Sequence, residues 1–313
     1  MQGRHIENIP QETLEAVIDE LAGNRAALSV CCLVSKRWVW RSRYHLFKRV
    51  RFSGRQGLKS LRNWEAAMKL DGMSLVIGYI SHRLCTTTDT PATLTRSLCL
   101  SQHGDTWITP LTVIQYLDHF WSFNRVENLT LSHFSSTIFD QTSLHALFRN
   151  QIPSVRKLRL YYPSACPASL LQLISIFTNL RDTAVHAPRW VAASHQESYP
   201  ATPRTLRGEL HLSELSEDSG PFFWLLASQT PCYEQIVLER CTLDDFYPFQ
   251  SFASNTGMFL RTLYVLADGD RKFCPLLQAH LSRRFVYRPE GDPEAIAVGL
   301  HSPGTPFYQC RRT

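Results

Sequence analysis

A short apolar doublet, two hydrophobic positions flanking one other residue, recurs along most of the chain. It stands at Leu98-Cys-Leu100, Leu129-Thr-Leu131, Leu158-Arg-Leu160, Thr183-Ala-Val185, Leu210-His-Leu212, Ile236-Val-Leu238 and Leu263-Tyr-Val265. Successive starts lie 31, 29, 25, 27, 26 and 27 residues apart. Alternation over so few residues predicts short strands with one buried face. Between the doublets run stripes of helical period: Val113, Ile114, Leu117 and Trp121; Leu170, Leu173, Ile174 and Phe177; Phe222, Phe223, Leu225 and Leu226. Val50-Arg-Phe52, Leu75-Val-Ile77 and Phe285-Val-Tyr287 extend the series as irregular strands. Strands that alternate with helices predict an α/β architecture with parallel strands. Two stretches break the rhythm. Residues 186–205 hold three prolines and predict a protruding loop, and the tail after Arg288 is rich in Pro and Gly and predicts poor order.

Residues 8–47 follow a different pattern. Pro10 suits a first helical position and Glu12 the positive end of a helix dipole. Leu14, Val17, Ile18 and Leu21 then fall at i, i+3, i+4 and i+7, one apolar stripe. Gly23-Asn24 stops that helix, and Asn24 caps a second one carrying Leu28, Val30, Cys31, Cys32, Leu33 and Val34. Ser35 caps a third, with Trp38 and Leu46. Three short helices in some forty residues make a marginal core, so the unit is expected to lean on a partner or on the rest of the chain.

These residues resemble an F-box. Ile9-Pro10-x-Glu12-x-Leu14, Ile18, Leu21, Leu28 and then Leu33-Val34-Ser35-Lys36-Arg37-Trp38 follow its pattern, which opens Leu-Pro and closes Leu-Val-Cys-Arg-x-Trp. Ile9 stands for the opening Leu and Ser35 for the usual Cys. Arg43-Tyr44-His45-Leu46-Phe47 is especially similar to F-box proteins of mushroom-forming fungi. The later part resembles degenerate leucine-rich repeats. Val126-x-x-Leu129-x-Leu131, Val155-x-x-Leu158-x-Leu160 and Leu260-x-x-Leu263-x-Val265 fit the L-x-x-L-x-L frame, without its customary asparagine. The expected fold is thus a three-helix F-box at 1–47, an irregular solenoid with parallel strands at 48–288, and a tail at 289–313. The resemblance implies a substrate receptor of a Skp–cullin–F-box ubiquitin ligase. The Skp adaptor would be gripped by Ile9, Pro10, Leu14, Ile18, Leu28, Leu33, Val34 and Trp38. A cullin would join through the adaptor.

Charge adds a second reading. Residues 1–65 hold twelve of the 33 Lys/Arg and six of the 27 Asp/Glu, leaving 21 of each for the remainder, so the whole net charge of +6 is N-terminal. Ten basic residues and no acidic one lie between Lys36 and Arg62. Such a block suits nucleic acid or an acidic protein. Trp38, Trp40, Leu46 and Phe47 interrupt it as core residues would, so specific nucleic-acid binding is not expected. A scaffold or nucleic-acid-associated repeat protein working outside a ligase is the alternative function.

Nine cysteines raise the question of disulfides or metal. The first residues lack a continuous apolar core and carry five carboxylates by residue 20, unlike a secretory signal, and no membrane-length apolar stretch occurs. An intracellular home, cytoplasmic or nuclear, with free thiols is expected. The sequon at Asn128 is then incidental. No CxxC or zinc-finger His pair is present, so neither metal nor cofactor is expected. Cys31 and Cys32 read as packing residues, with a thiolate near Lys36 as the alternative. GxSxG, Walker A, HExxH and GxGxxG are all absent, and the twelve histidines are scattered. Asp105, Asp118-His119 and Asp268-Gly269-Asp270 read as surface or turn residues. No residue is assigned to catalysis.

If the leucines of the doublets point inward, the residues between and after them point outward by the two-residue period of a strand. That face would carry Asn128 and Thr130, then Lys157, Arg159 and Tyr161, then Asp182 and His186. Glu209 and His211, Gln235 and Glu239, and Tyr264 would follow. It would run from neutral to basic to acidic, and it is the expected surface for a target protein.

Overall fold

A computed structural model describes residues 9–53, 91–102, 123–134, 148, 153–191, 205–215, 219–240, 249, 252, 260–267 and 288–289. The chain is mixed α/β with a mostly parallel sheet and few helices. It divides into two compact units, one of Met1–Thr130 with Ala146–Val155, the other of Leu131–His145 with Arg156–Thr313.

The first unit opens with helices α1 (Gln11–Glu20), α2 (Arg25–Val34) and α3 (Lys36–Phe47). The capping residues explain their limits. Asn24 accepts a bond from the Ala27 N–H at 3.0 Å, and the Ser35 hydroxyl accepts from the Arg37 N–H at 3.4 Å. Pro10 sits one position earlier than its sequence suggested, preceding the helix, where its carbonyl accepts from the N–H groups of Thr13 and Leu14. Leu14, Ile18, Leu28 and Cys31 form the core of the three helices. Val17, placed by its spacing in the same stripe, is instead 50% exposed. Strand β1 (Arg49–Ser53) leaves α3 and pairs in parallel with β2 (Ser97–Ser101), preceded by the single turn α4 (Pro91–Leu94). The Thr95 hydroxyl donates to the Phe47 carbonyl at 3.0 Å, and the Arg96 and Ser97 N–H groups share the Lys48 carbonyl. These bonds fasten the end of α3 to the strands. A core of forty residues is small, and these bonds tie it to the neighbouring strands.

Strand β3 is Asn128–Ser132. In the second unit β4 (Lys157–Tyr161), β6 (Asp182–His186), β8 (Thr205–Ser213), β9 (Thr230–Glu239), β10 (Thr262–Ala267) and β11 (Arg288–Pro289) lie side by side in that order, all parallel. All seven doublets lie in strands, and Leu98, Leu100, Leu129, Leu131, Leu158, Leu160, Thr183, Val185, Leu210, Leu212, Ile236, Leu238 and Leu263 are buried. Helices α5 (Pro167–Ile176) and α6 (Gly220–Ser228) carry two of the helical stripes. Pro167 opens α5 where a missing N–H costs nothing, and the Cys166 sulfur accepts from the Ser169 N–H at 3.3 Å. Phe222 and Phe223 of α6 meet Trp190, Phe249 and Phe252 in an aromatic core, with ring centroids 5.3 to 6.2 Å apart.

The stretch expected to protrude at 186–205 contributes strand at both ends. His186 closes β6, Thr205 opens β8, and Arg189–Trp190 is a short strand, β7, paired with β5 (Ser164–Ala165). The Arg189 N–H donates to the Pro163 carbonyl at 2.8 Å and the Val191 N–H to Ala165 at 3.2 Å. Backbone pairing thus takes up the two ends of the stretch, and residues 192–204, with two of its three prolines, lie outside the described residues. The stripe beginning at Val113, the doublets at Leu75 and Phe285, the acidic turns named above and the tail beyond Pro289 lie outside the described residues.

One backbone device repeats. The residue that follows β3, β4, β6, β8 and β9 (His133, Tyr162, Ala187, Glu214 and Arg240) has φ between 45° and 59°. This left-handed turn is costly for any residue but glycine. Its return is a bond: the N–H groups of His133, Tyr162, Ala187 and Glu214 each reach the last carbonyl of the neighbouring strand, at 2.8 to 2.9 Å. Carbonyls that would otherwise end the sheet unpaired are satisfied.

Candidate protein-binding surfaces

The helical unit separates its motif residues into two groups. Leu14, Ile18 and Leu28 are buried and hold the helices together, so they offer no surface to an adaptor in this conformation. Ile9, Pro10, Leu33 and Val34 are exposed, Leu33 by 87%, and Trp38 is half-buried. Helix α2 is apolar on both faces. Leu28 and Cys31 point inward, while Val30, Leu33 and Val34, at i, i+3 and i+4, form an outward apolar row. Val30 had no separate mark in the motif; only the phase of the helix against its own core reveals it. Cys32 is half-buried, and burial pushes its thiol up, which opposes a reactive thiolate. Among the described residues Cys31, Cys32, Cys99 and Cys232 carry free thiols.

The basic block is partly engaged within the unit itself. Arg41 of α3 grips Asp19 of α1 through two bonds, Nε to Oδ1 at 2.5 Å and Nη2 to Oδ2 at 2.6 Å, and His45 Nε2 lies 2.7 Å from Oδ1. Arg37 donates to the Ile9 carbonyl at 2.9 Å and to Gln11, fixing the entry to α1. The Arg41 guanidinium, then His45, hold the Asp19 carboxyl well below the usual carboxylate range. A depressed carboxylate stabilises the fold above its unfolded pKa of about 3.9, and that contribution fades as pH falls through the folded value. Asp19→Asn should therefore lower the melting temperature at neutral pH. The gap from wild type should close as pH falls below about 4. Circular-dichroism melts of both proteins across that range check this; a gap independent of pH would contradict it.

In the strands, Lys157, Arg159 and Glu209 are exposed, and Asn128, Thr130, Tyr161, Asp182, His186, His211, Gln235, Glu239 and Tyr264 are intermediate. The register puts none of them in the core. Some of these side chains also meet across neighbouring strands. Lys157 Nζ lies 3.0 Å from Asp182 Oδ2 on the next strand, an ion pair, and His211 Nε2 lies 3.2 Å from Glu239 Oε2. Cross-strand neighbours are set by sheet register, which a walk along the sequence does not display. Arg159 has no ion-pair partner among the described residues.

The left-handed turns add residues that the doublets did not flag. His133 stacks on Tyr162 with centroids 4.9 Å apart and planes at 25°, and Tyr162 meets His186 edge-on at 5.3 Å. His186 continues the row, its Nδ1 2.6 Å from the Ser213 hydroxyl and its Nε2 3.7 Å from Glu214, which also binds Arg240 at 2.7 Å. This polar and aromatic row runs along the carboxyl ends of the second unit's strands, the end where open parallel sheets usually bind their ligands. The available sequence signal was a fixed offset, the first residue after each strand.

Among the described residues no helix is long and apolar enough to cross a membrane, and no three His, Cys, Asp or Glu side chains converge as a metal site. Comparison with family models, curated proteins and solved structures found no match.

Proposed function

We propose that the chain is a substrate receptor of a Skp–cullin–F-box ubiquitin ligase, with α1–α3 as the F-box and the parallel strands as turns of an irregular leucine-rich-repeat solenoid. The observation that carries this reading is the outward row of Val30, Leu33 and Val34 on a helix whose opposite face is already packed. A helix that is apolar all round belongs in an interior, and a second protein supplies that interior here. The F-box-like order of residues from Ile9 to Trp38 names the adaptor as that protein. The even spacing of the strands and the repeated turn at their exits support the solenoid.

In this reading the chain performs no bond chemistry. It holds a target near the enzyme that transfers ubiquitin and raises its effective concentration there. The target would lie on the strand face and the His133–Tyr162–His186 row, where aromatic and cationic groups are presented on rigid elements. Affinity purification of the full chain from its own cells, with the proteasome blocked, tests both halves. Adaptor and target should be recovered together. Lys157→Glu with Arg159→Glu should retain the adaptor and lose the target by roughly tenfold or more, since reversed charges repel what they formerly attracted. Full recovery of every target by that variant would remove the strand face from the proposal, and absence of any adaptor would remove the ligase.

A further inference from the structure

From Lys36 to Ser53 the chain carries seven Lys or Arg and no Asp or Glu. Helix α3 uses part of this charge inside the unit, Arg41 on Asp19 and Arg37 on the Ile9 carbonyl and Gln11. Lys48, which ends the helix, has its Nζ 5.3 Å from the centre of the Tyr44 ring. Strand β1 differs. Arg49 and Arg51 are exposed and have no ion-pair partner among the described residues.

Alternation along the strand fixes where these two point. Phe52 is buried in the core, so Arg49 and Arg51 stand on the opposite face of β1, about 6.6 Å apart along it. The parallel register sets Ser97 of β2 opposite Arg49, and Cys99 opposite Arg51. Strand β3, next in the sheet, turns Asn128 and Thr130 the same way. None of these outward positions holds a carboxylate. The described carboxylates of this unit lie elsewhere, four on α1, where Arg41 binds Asp19, and Glu127 before β3, 3.9 Å from Arg96. In the second unit Lys157 has Asp182 beside it, whereas here two like charges share a face with no counter-charge from the protein itself.

We propose that this face of the first unit docks an acidic, extended segment of a partner protein, with carboxylates at alternate positions resting on Arg49 and Arg51. An extended chain repeats its side-chain direction every two residues, the spacing that separates the two guanidinium groups. Their planar donors match a carboxylate bidentately. Nucleic acid also carries negative charge, but single strands are held by aromatic side chains beneath their bases. The outward positions of β1 to β3 are Arg, Ser, Cys, Asn and Thr, and the exposed Trp40 belongs to α3. Hydroxyl and amide groups suit the peptide units between the carboxylates instead. The surface uses no residue of the α2 row or of the second unit's strand face, so it stands or falls apart from the ligase reading.

Fluorescence anisotropy with the purified full chain and a labelled, capped heptapeptide of alternating Thr and Glu is the test. At low salt the peptide should bind saturably and at least tenfold tighter than its Thr/Gln counterpart, a difference of about 1.4 kcal/mol. Two surface ion pairs at the favourable end of their range supply that preference. It should shrink as salt rises, because exposed charges are screened. Arg49→Gln with Arg51→Gln should abolish the preference for Glu over Gln. Both side chains are exposed, so the variant should remain folded. Lys157→Gln with Arg159→Gln should leave the preference unchanged. No saturable binding, equal binding of the two peptides, a preference that survives the β1 substitutions, or one lost with Lys157 and Arg159 would overturn the proposal. So would tighter binding, at physiological salt, of a labelled oligothymidylate of equal charge, which would mark the face as a nucleic-acid surface.

Discussion

Leu33→Glu combined with Val34→Glu should abolish co-purification of a Skp-type adaptor, with affinity down by roughly a hundredfold or more, while leaving the chain as stable as wild type. Both side chains are exposed, so no internal contact of consequence is lost. Surface substitutions of this kind usually change stability by no more than about 0.5 kcal/mol. At an interface the balance differs. Each branched side chain contributes about 1.5–3 kcal/mol on full burial, and an unpaired carboxylate in its place adds a desolvation cost. Loss of two such anchors exceeds the 2.7 or so kcal/mol that a hundredfold represents. Leu28→Ala supplies the contrast. That residue is fully buried, and its truncation should destabilise the helical unit by about 2–5 kcal/mol, weakening adaptor binding only through unfolding. Size-exclusion chromatography with purified adaptor, read beside a urea titration, separates the two. Undiminished binding by the double glutamate variant would count decisively against the F-box assignment.

The contrast also marks what the sequence could convey. A motif specifies residue types in order, and apolar types are required both for packing inside the helices and for contact outside them. Leu28 and Leu33 look equivalent on paper; only the phase of α2 against α1 and α3 separates 0% from 87% exposure. Strand positions were easier to read, because burial with period two leaves a direct imprint on sequence. Strand lengths were not. Residues 205–208 and 230–233 read Thr-Leu-Arg-Gly and Thr-Pro-Cys-Tyr, with Gly and Pro as loop signals, yet they extend β8 and β9 to nine and ten residues. Nor did the turns at the strand exits carry the glycine or asparagine that announces a left-handed residue. His133, Tyr162, Ala187, Glu214 and Arg240 adopt it because the neighbouring strand's carbonyl rewards it. The ion pair of Lys157 with Asp182 was invisible as well, because it arises from the register of strands distant in sequence.

The register of β8 depends on one residue, and Gly208→Ala should cost the second unit more than about 3 kcal/mol. Gly208 has φ of +90° and sits at the irregularity where β8 shifts its register against β9. A side chain there is strained whatever space surrounds it. Space is also lacking: a Cβ at this position would lie 2.0 Å from the Arg181 carbonyl oxygen and 2.6 Å from its carbon. Those atoms are backbone, so no rotamer change relieves the clash. The same carbonyl accepts the Glu209 N–H at 2.8 Å, and pushing the strands apart sacrifices that bond as well. Against a typical total stability of about 5–15 kcal/mol, such a loss moves the unfolding midpoint far enough to read directly in a urea titration. Gly23 is the internal control. A Cβ built there meets nothing within 4 Å, so Gly23→Ala should leave the midpoint almost unchanged. Equal midpoints for the two variants would show that the chain accommodates a side chain at 208, and the bulge would not be the fixed element that sets the start of β8.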